Sequence, residues 1–296
     1  MKLSIITINY NNAEGLERTL NSVLAQTYEG IEHIIVDGGS TDGSVDVIKR
    51  YVQKVESGKW KVESVIWSSE KDKGIYDGMN KGVKKATGNF VWILNSGDCA
   101  AAPDVVERMM GILSETESGK WKVESGIDIL LGNIIHVYPG RKVDGGKRKV
   151  ESGKPQLREI GLSMLTFYSG TIPHDAAFVR RELFEKFGYF DEKMKICADW
   201  KLYLDMIALG GVQPWYVNID VVLFDMSGVS NTNNELRLAE RKMYIKQVLP
   251  ASVLRDYDAY AAPIHQYQRL KKHHLWGLVY FVERVLFKLE KWGVLR

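Results

Sequence analysis

The sequence predicts an α/β protein whose mainly parallel sheet is flanked by helices. Short β-branched runs, such as LSIITI at 3–8 and HIIVD at 33–37, alternate with segments whose apolar residues recur at helical spacing. Each run ends in glycine or polar residues, as is typical of strands that are buried on both faces. Repeated strand-helix units build parallel sheets with right-handed crossovers, so we expect a Rossmann-like architecture.

The predicted elements follow one another through the first hundred residues. The predicted strands lie at 3–8, 33–37, 65–67 and 90–94. Three helices separate them: the first contains Leu16, Leu20, Val23 and Leu24, the second begins at Val45, and the third spans 75–86. Open α/β sheets bind their ligands at the carboxyl ends of the strands. We therefore expect the functional side chains within 7–11, 37–42, 68–72 and 95–98.

The composition is that of a globular protein with little net charge. The chain has 296 residues, of which 45% are hydrophobic, so it can bury a full core as one large domain or two smaller ones. Its 40 basic and 37 acidic residues give a net charge of +3. This balance does not indicate a nucleic-acid partner.

Two features of the sequence bear on the cellular compartment. Cys99 and Cys197 are too few for a disulfide framework, and their spacing does not suggest a zinc site. The first residues contain one lysine and no long apolar segment followed by a cleavage site. We therefore expect a cytoplasmic protein.

One short peptide recurs at irregular spacing. Its copies are KVESGKWKVES at 54–64, ESGKWKVESG at 117–126 and KVESGK at 149–154. The irregular spacing argues against the stacked units of a solenoid. Each copy contains Ser-Gly and falls between predicted elements, where insertions are tolerated, so we interpret the copies as inserted loop or hairpin extensions. A partner-binding role is the less favoured alternative.

The segment DGGSTDG at 37–43 lies between a predicted strand and a helix. It differs from the dinucleotide fingerprint G-x-G-x-x-G, because its two adjacent glycines are followed by Ser-Thr-Asp. Asp37 ends the strand, where a carboxylate is suited to accept hydrogen bonds from a base or a ribose. For Asp42, which precedes the helix, the alternative is a helix cap.

Several motifs in a fixed order carry a family resemblance. They are TINYN at 7–11, VDGGSTDGS at 36–44, SEKDKGIYDGMNKGV at 69–83, ILNSGD at 93–98, PHDAAFVRRELFEKFGYFDE at 173–192 and CADW at 197–200. In this order they resemble the family 2 glycosyltransferases of the GT-A fold, especially bacterial surface-polysaccharide members. The resemblance covers 1–235 as a catalytic domain and leaves 236–296 as a C-terminal helical extension.

The resemblance implies a site for a nucleotide-diphosphate sugar, with a UDP-sugar as the first expectation. Tyr10 would stack on the base and Asp37 would bind the base or the ribose. Asp72 and Lys73 would continue the nucleotide site. The implied donor-binding set is completed by Thr7, Asn11 and Asn80.

The resemblance also implies a divalent metal, Mn²⁺ or Mg²⁺, held on the donor's diphosphate by an acidic motif after the fourth strand. Here Asn95 and Gly97 occupy positions that are often acidic, which leaves Asp98 as the single carboxylate. One carboxylate and the phosphate oxygens can hold such an ion, because these metals prefer oxygen ligands. The alternative for Asp98 is a cap of the helix suggested at 103–113.

The resemblance places the catalytic base in CADW, at Asp199. Sugar transfer with inversion requires one base to remove the proton of the acceptor hydroxyl. A helix cap is the alternative for Asp199. His174 and Trp200 match motifs near the donor or acceptor, with a structural histidine and a core tryptophan as the alternatives. The Arg180-Arg181 pair is typical of a solvated face and receives no role.

The C-terminal segment combines an apolar helical pattern with basic residues. Apolar residues at 278, 279, 282, 285, 286 and 289 keep helical spacing, and aromatic and basic residues surround them. Internal charges argue against a spanning helix, whereas a basic amphipathic helix can lie in a membrane interface. We leave two alternatives open for 269–296, contact with the inner membrane surface and packing on the catalytic domain or a partner.

Together these features predict an inverting glycosyltransferase that uses a nucleotide-sugar donor and a glycan or lipid-linked acceptor, located in the cytoplasm or on the cytoplasmic face of the membrane. One alternative is a sugar-phosphate nucleotidyltransferase, but its Gly-rich triphosphate loop is missing from the first strand, which ends in NYNN. Another is a noncatalytic sugar-nucleotide-binding module, which would not need both Asp98 and Asp199.

Overall fold

A computed structural model of the chain describes residues 1–121, 123, 126–138, 156–226 and 233–291. Its strands are β1 Leu3–Asn9, β2 Ile31–Asp37, β3 Val62–Ser69, β4 Phe90–Ile93, β5 Cys99–Ala100, β6 Ile129–Val137, β7 Leu157–Glu159, β8 Ala177–Arg180 and β9 Pro214–Asp225. Its helices are α1 Ala13–Leu24, α2 Ser44–Glu56, α3 Ile75–Lys85, α4 Val105–Glu117, α5 Met164–Ser169, α6 Glu182–Phe187, α7 Ala198–Leu204, α8 Asn234–Val248, α9 Ala251–Lys272 and α10 Trp276–Lys291. A 3₁₀ turn at His174–Ala176 precedes β8, and a π-helical turn at Asp205–Leu209 continues α7.

The described strands form one sheet in the order β3-β2-β1-β4-β8-β6-β9-β5, with β7 paired to β9. The first four strands are parallel, and β8 runs antiparallel to both β4 and β6. Because β1, β2 and β4 are parallel neighbours, their carboxyl ends meet at one edge of the sheet. The predicted α/β class with a mainly parallel sheet is confirmed.

The core is formed where helices cover both faces of the sheet. The apolar residues of α1, including Leu16, Leu20 and Val23, are buried as their helical spacing predicts. On α3, Gly82 lies directly against β1, and a Cβ at that position would overlap Ile6 Cγ2. Glycine therefore allows α3 to lie close to the sheet.

The first repeat copy is not a loop extension, so our interpretation of it was wrong. Its first residues form the end of α2 and its last residues form the start of β3. Val55 and Val62, one from each half, are buried in the main core. The reason is that KVE suits a helix end while KVES pairs as a strand with β2, so the connection itself is short. The third copy, at 149–154, lies outside the described residues.

The chain divides into two compact units, Met1–Lys242 and Met243–Arg296. The division falls within α8 rather than at residue 235, where the resemblance to the family ends. The first half of α8 belongs to the first unit because Glu240 accepts hydrogen bonds from backbone N–H groups of residues 195–197. Across the described ranges, no helix combines the length and apolar character needed to cross a bilayer.

Candidate active site

The turn after β4 carries Asn95 and Asp98 to the carboxyl edge of the sheet. Gly97 has a φ of +107°, a conformation that other residues rarely adopt, and its N–H donates to the Thr19 hydroxyl at 3.0 Å. The same hydroxyl donates to the carbonyl oxygen of Asp98 at 2.6 Å. A side chain of α1 therefore fixes the turn from behind.

Asp98 is a buried carboxylate with one side-chain oxygen held by the backbone. Its Oδ1 accepts a hydrogen bond of 2.8 Å from the N–H of Asp225 at the end of β9, and the residue is 6% exposed. Burial raises the pKa of Asp98 to about 7, and the nearby carboxylates of Asp175 and Asp225 add to this rise. Since α4 begins at Val105, Asp98 does not cap it, which removes the cap alternative.

A small pocket opens beside this turn. Within the described part of the chain, the Oδ1 atom of Asn95 is buried and has no hydrogen-bond partner. A buried polar oxygen without a partner is costly, so a ligand or ion at this position would satisfy it. The pocket is lined by Met79, Ile93, Asn95, His174, Asp175, Phe190, Asp199 and Tyr203.

His174 and Asp199 form an ion pair in this pocket. The Nε2 atom of His174 lies 2.7 Å from Oδ2 of Asp199 and 3.5 Å from Oδ2 of Asp175. The other carboxylate oxygen of Asp199, Oδ1, accepts from the N–H of Trp200 at 2.7 Å and from the hydroxyl of Tyr76 at 3.3 Å. Asp199 lies inside the first turn of α7, whose N-cap residue is Cys197, so the cap alternative for Asp199 is also removed.

The pair is ionised at neutral pH. Burial alone would lower the pKa of His174, but the charges of Asp175 and Asp199 outweigh burial and raise this pKa to about 10. Burial would raise the pKa of Asp199, but the charge and hydrogen bond of His174 outweigh it, so the pKa of Asp199 is lowered. Asp199 is therefore a carboxylate that can accept a proton.

Asp37 lies at the carboxyl end of β2 but is fully buried. Its carboxylate accepts hydrogen bonds from the side chains of Asn9, Ser40 and Ser69 and from the backbone N–H groups of Gly39 and Ser40. Burial would raise the pKa of Asp37, and these hydrogen bonds outweigh burial and lower it. Asp37 therefore holds the loop after β2 in place.

The side chains of Tyr10 and Asp72 both lie close to Gly38. A Cβ at Gly38 would lie 2.7 Å from Oδ2 of Asp72 and 3.2 Å from Cδ2 of Tyr10. The Tyr10 side chain is 65% exposed, which suits a stacking surface. Oδ1 of Asp72 accepts from the N–H of Gly74 at 3.0 Å, and Lys73 beside it is exposed.

The loops around this surface are joined by side chains of the sequence motifs. The N–H of Asn11 donates to Ser40 Oγ at 2.7 Å, and its Oδ1 accepts from the N–H of Thr41 at 2.8 Å. Asp42 accepts from the N–H and the hydroxyl of Ser44, the first residue of α2. Asp42 thus contacts the first residue of α2, whose N-cap residue is Gly43.

Three expected site residues lie in the core instead. Thr7 is fully buried and donates to the Leu94 carbonyl, because its position in β1 points the side chain into the sheet's packing. Asn80 is 4% exposed and hydrogen-bonds the backbone of Phe190, so it supports a pocket wall rather than a nucleotide. Trp200 is 2% exposed and donates to the Phe167 and Gly170 carbonyls, the core role given as its alternative.

The structure adds site residues that the sequence did not single out. Asp175 follows His174 directly, Tyr76 lies within the motif that contains Asp72, and Asp225 ends a long strand. A carboxylate at a strand end was the signal that identified Asp37 and Asp98. The same signal could have identified Asp225.

The mainly parallel sheet and the helices that flank it have the architecture of the GT-A type. The chain belongs to glycosyl transferase family 2, whose family model matches residues 4–188. This assignment removes the nucleotidyltransferase and noncatalytic alternatives. Asp199 lies beyond the matched range.

Individual proteins similar to this chain are also glycosyltransferases. The chain is 34% identical over 236 residues to an uncharacterised glycosyltransferase of Mycobacterium tuberculosis strain H37Rv, covering 77% of each chain. It is 27% identical to a PGL/p-HBAD biosynthesis glycosyltransferase of Mycobacterium bovis strain BCG, covering 77% of this chain and 79% of that one. Among solved structures, S. aureus TarS 1–349 in complex with UDP superimposes with a TM-score of 0.55 at 20% identity over 76% of this chain. The chain spans 60% of the length of that TarS chain.

Proposed function

We propose that this glycosyltransferase transfers a sugar with inversion from a UDP-sugar to a glycan or lipid-linked acceptor, with Asp199 as the general base. The observation that carries the proposal is the ionised Asp199 carboxylate in a pocket shared with Asn95, three residues before the buried Asp98. A base and a donor-binding edge in one pocket are what the reaction requires.

The proton acceptor is Oδ2 of Asp199. Oδ1 is engaged by the Trp200 N–H and the Tyr76 hydroxyl, whereas Oδ2 receives one hydrogen bond, from His174. A carboxylate oxygen has two lone pairs, so Oδ2 retains one for the acceptor hydroxyl. In the step, the acceptor oxygen forms the new bond to the sugar, its proton goes to Oδ2, and the bond from the sugar to the diphosphate breaks.

The residues around Asp98 fit a divalent metal such as Mn²⁺ or Mg²⁺. Asp98 has one oxygen committed to the Asp225 N–H, and Asn95 provides a buried oxygen without a partner among the described residues. Burial and the nearby carboxylates of Asp175 and Asp225 disfavour the charged form of Asp98, and a bound cation would favour it. When bound, such an ion would neutralise the charge that develops on the departing diphosphate.

The metal would depend on the donor for further ligands. In the described ranges, no three His, Cys, Asp or Glu side chains converge as a metal site. Asp98 would hold the ion with the oxygen of Asn95, and the diphosphate would supply the rest.

The nucleotide is expected against Tyr10 and Asp72. The exposed ring of Tyr10 would stack on the base, and Oδ2 of Asp72 would accept a hydrogen bond from the base or the ribose. Lys73 would lie beside the nucleotide, and Asp37 and Asn11 would hold the loop that receives it. UDP is the first nucleotide to test because a solved GT-A neighbour contains UDP.

We extend the proposal to a contact of α10 with an anionic membrane surface. Its side chains Leu278, Phe281 and Phe287 are 64%, 63% and 68% exposed. Residues 269–291 contain six Lys and Arg residues and two Glu residues, so the segment is basic. Exposed apolar side chains beside basic ones favour a headgroup interface, which would bring the enzyme to a lipid-linked acceptor.

Replacing Asp199 with Asn tests the function. We expect Asp199→Asn to lower kcat by at least about a thousandfold, since an amide cannot accept the hydroxyl proton. UDP affinity, measured by calorimetry, should stay within about twofold, because binding does not need the base. The control is Asp46→Asn on the exposed face of α2, which makes the same change of charge. Turnover within a few fold of the parent would remove Asp199 from the base role.

A further inference from the structure

One carboxylate of α8 binds three consecutive backbone amides. Glu240 is 8% exposed, and its two oxygens accept from the N–H groups of Lys195 at 2.6 Å, Ile196 at 3.0 Å and Cys197 at 3.0 Å. Asp199 follows this segment after one intervening residue. The carboxylate therefore determines where the backbone enters α7.

The next residue of α8 holds a second segment. The guanidinium of Arg241 donates to the carbonyl oxygen of Gly170 at 3.0 Å and lies over the Trp200 ring, 5.1 Å from its centroid. The Trp200 indole donates to the same Gly170 carbonyl at 3.1 Å. His174 follows Gly170 by one short loop, in which Ile172 O accepts from the His174 N–H at 2.8 Å.

Adjacent residues of one helix thus hold the two segments that carry the His174–Asp199 pair. We propose that Glu240 and Arg241 are positioning residues that set the contact between His174 and Asp199. This inference rests on the proposed role of Asp199 as the base. Both residues lie beyond 188, the end of the family match, so the matched part of the chain lacks them.

The position of these segments matters because the interaction between His174 and Asp199 is strong only at short distance. An ion pair at 2.7 Å loses much of its interaction when either segment shifts by an ångström. The amides of residues 195–197 donate to the Glu240 carboxylate, and such charge-assisted hydrogen bonds are the stronger kind. Losing Glu240 would release the segment before Asp199.

The test uses Glu240→Gln and the pH profile of kcat/KM. A looser pair would lower the pKa of Asp199 less, so we expect the acid limb to move up by about one pH unit. We expect kcat to fall by about tenfold and UDP affinity to stay within twofold. The charged and titratable groups that act on Asp199 are His174, Asp175, Tyr76, Cys197 and Tyr203.

Two variants serve as matched controls. Glu235→Gln makes the same change at an exposed position of α8. Glu32→Gln alters another buried carboxylate, which accepts from the N–H groups of Thr87 and Gly88 at the opposite edge of the sheet. Both should keep the parent's pH profile, although Glu32→Gln should lower stability.

The outcomes separate the inference from the proposed function. Full activity of Asp199→Asn would overturn the proposed function, and the inference with it. An inactive Asp199→Asn together with an unshifted profile of Glu240→Gln would overturn the inference alone, as would an equal shift in Glu32→Gln. If Glu240→Gln does not fold, Arg241→Lys decides in the same way, because it keeps the charge but cannot reproduce the planar contact with Trp200.

Discussion

At the scale of single residues, His174 is an electrostatic partner and not a base. Its Nε2 contacts Asp199 and its Nδ1 lies 3.2 Å from the Ile172 carbonyl, so both ring nitrogens are used. An imidazole with both N–H groups engaged has no nitrogen for an acceptor hydroxyl. His174 therefore fixes the orientation of Asp199 and keeps it ionised.

The raised pKa of His174 predicts a pH-dependent stability. The folded state binds the His174 proton more tightly than the unfolded state, because the pKa of His174 rises from its ordinary value of 6.5 to about 10 on folding. The stabilisation is full below pH 6.5 and is lost as the pH rises through about 10. We expect the parent to have a higher free energy of unfolding than His174→Gln at pH 6. This difference between the two proteins should be about 1 to 3 kcal/mol larger at pH 6 than at pH 10.

Urea denaturation at several pH values measures this difference. His273→Gln, at an exposed position, is the control and should follow the parent. A parent and a His174→Gln variant with parallel curves between pH 6 and pH 10 would contradict the ion pair.

A second prediction at this scale concerns Asp98. If Asp98 is the main protein ligand, Mn²⁺ should bind the free protein weakly and bind at least about tenfold more tightly with UDP present. Asp98→Ala should abolish this coupling, which calorimetric titration in both orders measures. Activity that persists in chelator and in Asp98→Ala would indicate a metal-independent transferase.

At the scale of elements, the first repeat copy joins a helix to a strand by a short turn. Val55 belongs to α2 and Val62 to β3, and both are in the main core. The two halves of the repeat contain the same letters, KVES, yet one is mainly helical and the other extended. Tertiary packing, more than local preference, determines their conformations.

Deleting residues 58–64 tests whether the first KVES of this repeat copy can replace the second. The remaining KVES at 54–57 would become the start of β3, so α2 would lose its last turn and the core would lose one valine. We expect a soluble, active enzyme whose free energy of unfolding is lower by about 2 kcal/mol. Urea denaturation and transfer activity measure this, and an insoluble product would show that both halves are needed.

At the scale of the whole molecule, the chain combines a catalytic unit with a basic helical segment. We expect the full chain to bind vesicles that contain anionic phospholipid, and to bind neutral vesicles less. Phe281→Ser should reduce binding at least about threefold, because it removes apolar surface from the interface. Tyr260→Ser on α9, where the side chain is 60% exposed, is the control.

Vesicle cosedimentation at two salt concentrations measures this binding. Higher salt should weaken it, because the attraction of basic residues to anionic lipid is screened. Equal binding by the parent and Phe281→Ser, or none by either, would contradict the membrane contact of α10.

The fold could be predicted from the sequence further than the site could. Strand and helix periods identified β1 to β4 and α1 to α3, because buried faces impose those periods on the sequence. The motifs located Asp199, which lines the pocket, and Asp98, which lies in the turn beside it. Thr7 and Asn80 lie in the core because a motif does not determine where each side chain points, and the pairing of His174 with Asp199 depends on tertiary distances.

The loop after β2 is held in place by contacts within the chain itself. Five hydrogen bonds to the Asp37 carboxylate fix the backbone from residue 37 to residue 40. Fixing one residue's backbone typically opposes binding by about 1 to 2 kcal/mol of conformational entropy. Because this loss occurs during folding, the proposed nucleotide site would be preorganised, and differences in donor affinity would then reflect direct contacts with the base and sugar rather than loop ordering.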